Sequence, residues 1–332
     1  MNGVIIIDKP AGWTSHDVVN RMRRILGQRS VGHLGTLDPL ATGVLPLVTG
    51  SMTRLAQFYT TSEKTYEGVI RFGFATTTYD ADGDPVGTVS SDYPPPDNVQ
   101  TAAAHFRGVM EQMPPPFSAK KIHGVPAYKL ARRQKEVELK PVQVEIKNFE
   151  ILSVEGGRAS FRARVASGTY MRSVAHDMGR RLECGAHLES LRRTEVAEFD
   201  LTQAHTLEEI AAATPPVPRY FEQTPVIKGC HSEPGQSRGE EPAFSAAALQ
   251  KFFIHPRQLL PQLPSVTADD DAAARIRCGR PVNLPELSRA RHVKVFYGQR
   301  ELIAIATRVA GTLFHAKIVF ATDPQVSTLA PG

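Results

Sequence analysis

Apolar and polar positions change their period along the chain, and each change marks an element. Residues 3–8, Gly-Val-Ile-Ile-Ile-Asp, are short, β-branched and apolar at consecutive positions. That is the pattern of a buried strand. From Thr14 or Ser15 the period lengthens: Val18, Met22 and Ile25 share one helical face, and Gly27 stops the helix. Residues 30–43 carry three glycines and one proline and read as a loop. Residues 44–48 and 64–72 read as strands, with a short helix over 53–60 between them and a turn-rich segment over 76–83 after them. A helix is expected from a cap at Asp97 to about Gln112. Two strands follow over 142–154 and 159–167, joined at Gly156-Gly157, then a helix over 171–182, a strand over 188–199 and a helix over 206–213.

The pattern then breaks. Residues 214–242 are rich in proline, glycine and polar side chains, as in a linker or an ordered loop of low complexity. Residues 265–320 resume with apolar runs at 293–297, 302–307 and 313–320, separated by Gly298 and Gly311 at hairpin spacing. The expected organisation is a first domain over 1–222, a linker or insertion over 223–264, and a small β-rich second domain over 265–332. A length of 332 residues suits two domains.

Composition narrows the function classes. With 41% hydrophobic and 22% charged residues the chain can bury a core. No apolar run approaches the roughly 18 residues of a membrane span, and the run at Val4–Ile7 ends at Asp8 and Lys9 with no basic segment before it, unlike a signal peptide. Cys184, Cys230 and Cys278 are widely spaced and odd in number, which suits reduced thiols in a cytoplasm. There is no CxxC, HExxH, GxxxxGK[ST] or GxGxxG, so zinc ribbons, P-loop enzymes and the commonest dinucleotide enzymes are excluded. A net charge of +5 permits a polyanionic partner. Its local distribution says more: Lys120, Lys121, Lys129, Arg132, Arg133 and Lys135 fall within 120–135 with no acid among them, and Arg21, Arg23, Arg24 and Arg29 cluster likewise.

The candidate chemistry lies in the loop His33-Leu34-Gly35-Thr36-Leu37-Asp38-Pro39-Leu40-Ala41-Thr42-Gly43, which sets one carboxylate between glycines. Such an Asp can be a nucleophile, a base, or a turn starter before proline. Four further segments accompany it: Asp8-Lys9-Pro10-Ala11-Gly12-Trp13-Thr14-Ser15, Lys64-Thr65-Tyr66, Gly73 with Thr76, Thr78 and Asp80, and Ser167-Gly168-Thr169-Tyr170-Met171-Arg172. With the loop, these five in this order resemble the motifs of the bacterial TruB-type tRNA pseudouridine synthases, closely over residues 3 to about 213.

That resemblance implies an α+β pseudouridine synthase fold, with a mixed, mostly antiparallel central sheet flanked by helices. It implies conversion of uridine 55 in the tRNA T loop to pseudouridine, an isomerisation that needs no cofactor. By position, Asp38 is the nucleophile, Arg172 the cation that keeps it charged, and Tyr66 the aromatic placed on the base for proton transfer. Tyr170, Asp80 and Leu191 match the pocket wall, and His33 the side chain that fills the space left by the flipped base. Lys9 matches a loop support or phosphate contact. Residues 112–141 fall where the family has an RNA-clamping insertion, which makes Lys120, Lys121, Arg132 and Arg133 candidates for phosphate contact. The second domain resembles a PUA-type RNA-binding unit through Cys278–Val282, Ile303–Ala306 and Lys317–Phe320. The partner expected is the T arm of tRNA, bound by a cytoplasmic monomer with no membrane association and no small-molecule cofactor. Two other readings stay open: a non-catalytic RNA-binding or RNA-folding protein, and an aspartyl-phosphate phosphotransferase, which would need Mg²⁺ and further carboxylates near Asp38.

Overall fold

The apolar run at the start forms the strand Gly3–Lys9, and its neighbours explain why it does not alternate. Ile5 and Ile7 face one hydrophobic core, while Val4 and Ile6 face another. The computed structural model describes residues 1–117, 121–122, 125–126, 140–213 and 248–320. Most of the basic stretch, the proline-rich stretch 214–242 and Cys230 lie outside the described residues.

In chain order the first domain contains β1 (Gly3–Lys9), α1 (Ser15–Ile25), β2 (Val31–His33), β3 (Thr42–Thr49), α2 (Ala56–Tyr59) and β4 (Lys64–Phe72). It continues with β5 (Ala75–Thr76), β6 (Pro85–Val86), α3 (Pro96–Ala104), β7 (Gly108–Gln112), β8 (Lys121–Ile122) and β9 (Val125–Pro126). It ends with β10 (Val142–Glu155), β11 (Arg158–Val165), α4 (Met171–Arg181), β12 (Ala186–Val196), β13 (Phe199–Asp200), β14 (Ala204–His205) and α5 (Leu207–Ala212). A ten-stranded sheet runs β14-β1-β3-β12-β4-β11-β10-β7, with β2 on β3 and β13 on β12. The β1–β14 and β3–β12 pairs are parallel and the rest are antiparallel. The sheet is therefore mixed and mostly antiparallel, as expected.

Local signals set the helices. Thr14 caps α1 with a reciprocal capping box to Asp17, and Gly27 follows with φ +59°. Val18, Val19 and Met22 of α1, Val99 of α3 and Val174 and Met178 of α4 pack on one sheet face with Phe149 and Phe161. The span expected as one helix from 97 to 112 divides: α3 starts after Pro95 and stops at Ala104, and residues 108–112 become the edge strand β7 on β10. Gly108, at φ +94°, makes the break. The expected loop 30–43 likewise yields the short strand β2 on β3.

The second domain holds β15 (Ser265–Ala268), α6 (Asp270–Arg277), β16 (Val282–Asn283), β17 (His292–Tyr297), β18 (Glu301–Ala310) and β19 (Leu313–Val319), as a five-stranded sheet in the order β15-β17-β18-β19-β16. Helix α6, absent from the sequence reading, starts at an Asp269 cap and buries Ala272, Ala273 and Ile276. This domain packs on the far face of β1 and β3. Leu259, Leu260, Phe296, Leu302, Ile305 and Ile318 join Val4, Ile6, Val44, Val48 and Phe199 in one apolar core. Leu34, from the Asp38 loop, belongs to that shared core too.

The shared core predicts that Phe296→Ala lowers stability by ~3–5 kcal/mol, the usual cost of emptying a buried aromatic site. Urea unfolding followed by fluorescence measures this. An unchanged midpoint would show that the two domains do not depend on this contact.

Candidate active site

The Asp38 loop connects β2 to β3, and side chains from three other segments fix its backbone. Ser15, the first residue of α1, accepts from Leu37 N at 2.8 Å and donates to Leu37 O at 3.1 Å. Lys9, at the end of β1, donates to Pro39 O at 3.2 Å and to Pro10 O and Trp13 O at 2.9 and 2.6 Å. Arg193, on β12, donates to Gly35 O at 3.1 Å, Thr36 O at 3.2 Å and Val44 O at 2.8 Å. Leu34 and Leu37 are buried in opposite cores. The loop is thus held residue by residue on either side of Asp38, which suits a group that must be presented in one geometry.

Gly43 shows how closely β12 approaches. It has φ +96°, and a Cβ there would lie 2.2 Å from Arg193 O. Only glycine avoids both the strained backbone and the clash.

Arg172 enters from the first turn of α4. Its side chain is 5% exposed, against 37% for Asp38. The guanidinium faces both carboxylate oxygens. Nε lies 2.8 Å from Oδ2 as an ion-pair contact without an aligned N–H, and Nη2 donates to Oδ1 at 3.1 Å. The remaining donors go to Thr78 O at 3.2 Å and Phe117 O at 3.1 Å, and Asp80 Oδ2 lies 3.5 Å from Nη1. A buried charge is costly unless paired, and Arg172 has two carboxylates and two carbonyls about it, with its Nε–H alone lacking an aligned acceptor. The result is a buried cation that presents a partly open carboxylate to the cleft. Asp80 is buried and takes hydrogen bonds from Thr78 Oγ1 and Asp82 N. Burial, with the charges of Asp80 and Asp38, pushes the Asp82 carboxyl up against the opposing pull of Arg172.

Tyr66 is buried on β4 directly opposite Arg193 of β12. Tyr170 is the N-cap residue of α4, held by Gln112: its N–H donates to Oε1 at 2.8 Å, and its carbonyl accepts from Nε2 at 3.0 Å. Leu191 is buried and lines an open depression on the sheet with Leu40 and Thr42. His33 ends β2 half-buried, and its Nδ1 accepts from Gly35 N at 3.3 Å, which places the ring proton on Nε2. Burial, and then Arg193 and His16, hold His33 below its ordinary value. Burial brings Lys9 down to about 8, with Asp38 opposing and Arg193 adding, and brings Lys64 down to about 8, with Arg193 adding.

The structure therefore gathers Asp38, Arg172 and Asp80 into direct contact, and sets Lys9, His33 and Tyr66 around the same loop. Of the two expectations for Lys9, loop support or phosphate contact, its contacts fit the first. It is fully buried, and its ammonium is used on three carbonyls, so it supports the loop and has no donor left for a phosphate. Lys121 begins β8, while Lys120, Arg132 and Arg133 lie outside the described residues. Sequence reasoning missed Arg193 and Ser15. Among the described residues no three His, Cys, Asp or Glu side chains converge as metal ligands, and no helix is long and apolar enough to cross a membrane.

A sheet of this topology with an arginine-backed aspartate on a clamped loop defines a class, and comparison with known proteins places the chain within it. The family "TruB family pseudouridylate synthase (N terminal domain)" matches residues 23–171, and "tRNA pseudouridylate synthase B C-terminal domain" matches residues 172–222. The chain is 44% identical over 323 residues to tRNA pseudouridine synthase B of Solibacter usitatus, covering 96% of this chain and 100% of that one. It is 44% identical over 212 residues to the same-named protein of Opitutus terrae, covering 64% of this chain and 88% of the other. Among solved structures, a Cbf5-Nop10-Gar1 complex matches with a TM-score of 0.62 at 25% identity, covering 97% of this chain and 84% of that one. A chain of an H/ACA RNP bound to a substrate RNA containing 2′-deoxyuridine matches with a TM-score of 0.65 at 23% identity, over 97% and 86% of the two chains. The chain belongs to the TruB family of tRNA pseudouridine synthases, which are isomerases.

A histidine held below its ordinary value near 6.5 binds its proton less readily in the folded chain than in the unfolded one. Its contribution to stability is complete above that value and is lost as pH falls through the lower folded value. Unfolding free energy from urea titration is expected to fall as pH drops below the ordinary histidine value, and His33→Gln is expected to flatten that slope. An identical slope in the variant would show that His33 is not held neutral by its surroundings.

Proposed function

We propose that this cleft isomerises uridine 55 in the T loop of tRNA to pseudouridine, with Asp38 as the nucleophile. The observation that carries the proposal is the pairing of a partly exposed Asp38 carboxylate with the buried Arg172 guanidinium at 2.8 Å. An ion pair with a buried guanidinium fixes the direction in which the carboxylate is presented. The reaction breaks the bond between ribose carbon 1′ and base nitrogen 1, turns the base, and joins carbon 1′ to carbon 5. Carbon 5 then loses a proton and nitrogen 1 gains one, so atoms and charge balance without a cofactor.

The residues divide the work. Asp38 stabilises the carbon centre exposed when the bond breaks. Arg172 pairs with Asp38 and orients its carboxylate, and Asp80 holds Arg172 in register. Tyr66 faces the base and handles its proton, with Tyr170 and Leu191 as pocket wall. His33 fills the stack after the uridine flips. Lys120, Lys121, Arg132 and Arg133 bind phosphates of the T arm, and the PUA-like second domain adds RNA affinity.

The test is an unmodified tRNA transcript incubated with the protein and mapped for pseudouridine by carbodiimide adduct and primer extension. A stop at the T-loop uridine is expected. Asp38→Asn is expected to lose about 10³-fold or more in turnover while RNA still binds. Turnover surviving within about tenfold would defeat the nucleophile role. Replacing Lys120, Lys121, Arg132 and Arg133 together by Ala is expected to raise the RNA Kd and flatten its dependence on salt. An unchanged salt slope would show that these side chains do not touch phosphate.

A further inference from the structure

Helix α4 grips the turn between β5 and β6 at two points one helical turn apart. Arg172 is the first. Its Nη1 donates to Thr78 O at 3.2 Å and has Asp80 Oδ2 at 3.5 Å, so its two partners flank Tyr79. His176 is the second, four residues on and therefore on the same helix face. Its ring lies flat on the ring of Tyr79, with centroids 3.8 Å apart and planes 12° from parallel. His176 Nδ1 is buried and has no hydrogen-bond partner among the described residues. The ring face, not a hydrogen bond from Nδ1, ties His176 to its neighbour.

The main chain at Tyr79 is constrained as well. Its φ is +67°, in the left-handed region that a bulky side chain seldom adopts. Such a residue persists only where its surroundings determine it. On the side of the sheet, Leu188 N of β12 donates to Tyr79 O at 3.0 Å, and Ala81 N donates to Leu188 O at 3.0 Å. Within the turn, Tyr79 N donates to Thr76 O at 3.3 Å, and Asp80 accepts from Thr78 Oγ1 and Asp82 N. The left-handed step lets the carbonyl of Thr78 and the carboxylate of Asp80 converge on one guanidinium nitrogen. The hydrogen bonds fix the shape of the turn and its place on β12. The stack fixes its place against the helix that carries Arg172.

We propose that Tyr79 and His176 are positioning residues: their stack holds the Thr78–Asp80 turn against Arg172 and so sets the direction in which Arg172 meets Asp38. This deepens the proposed isomerisation and rests on it. The turn anchors Nη1, while Nε and Nη2 face the two Asp38 oxygens. A guanidinium is a rigid plane, so a shift at Nη1 turns the whole fork. A turn displaced from α4 leaves Arg172 free to tilt, and the Asp38 carboxylate tilts with it. Packing that merely stabilised the turn would cost stability and leave the rate of the folded protein unchanged.

The experiment measures single-turnover pseudouridine formation at saturating tRNA transcript, together with RNA Kd and the urea midpoint of each variant. His176→Ala is expected to slow turnover about tenfold or more, within the ~10²-fold that a misplacement of about 1 Å can cost, with Kd unchanged. His176→Phe restores a flat ring and is expected to recover most of that rate. Tyr79→Gly suits the left-handed backbone but removes the ring, so it separates the two effects. It is expected to slow turnover as His176→Ala does, whatever its midpoint. A folded His176→Ala or Tyr79→Gly protein with an unaltered rate overturns the proposal, as does His176→Phe with no recovery. Should His176→Ala fail to fold, Tyr79→Gly reads the same contact. The path through Arg172 is tested by combination. His176→Ala should cost little further in an Arg172→Lys protein, and losses that multiply would contradict the proposal. Absence of pseudouridine with the unaltered protein would overturn the function, whereas normal product with unaltered rates in the variants overturns only the role of the stack.

Discussion

A partly exposed carboxylate lies against a guanidinium that is buried behind it. That contact, Arg172 to Asp38 at 2.8 Å, is the constraint the surrounding structure serves. Arg172 would be untenable in a protein interior alone. It is tolerated because Asp38, Asp80, Thr78 O and Phe117 O surround it. Those acceptors come from distant parts of the chain, and the sheet brings them together. Helix α4 supplies the cation, the β2–β3 loop the Asp38 carboxylate, and the segment after β5 the second carboxylate.

Two other buried cations serve the same end. Lys9 and Arg193 hold the loop backbone after and before Asp38, and neither takes part in an ion pair with it. Main-chain carbonyls are their partners. A loop gripped this way cannot relax when RNA enters, so the geometry exists before binding. Leu34 extends the support into the second domain through the shared core. That domain is therefore coupled physically to the Asp38 loop.

Much of this was legible in the sequence. The run at Val4–Ile7 announced a buried strand, and a cap at Thr14 or Ser15 with a stop at Gly27 bounded α1, the structure choosing Thr14. The five motifs pointed to Asp38 and Arg172, which the fold places in contact. Less legible were features that depend on topology. Arg192 and Arg193 are adjacent and read alike as charge. Yet strand alternation sends Arg192 out to a bidentate pair with Asp8, and Arg193 into the interior. Nothing local says that β12 is central. Lys9 looked like the end of an apolar run because its three carbonyl partners come from a turn and a distant loop. The segment after Ala104 carried no period that distinguished an edge strand from a continued helix, and pairing with β10 decided it.

The central claim is that Arg172 acts on the chemistry through Asp38 and not on RNA affinity. The direct test is Arg172→Lys, with single-turnover pseudouridine formation at saturating tRNA measured beside RNA Kd. Lysine keeps the charge but lacks the fork that spans both carboxylate oxygens. The account predicts a rate loss of about 10²-fold or more, the scale of losing one preorganised electrostatic contact, with Kd essentially unchanged. A rate close to that of the unaltered protein, or a loss confined to Kd, would contradict it.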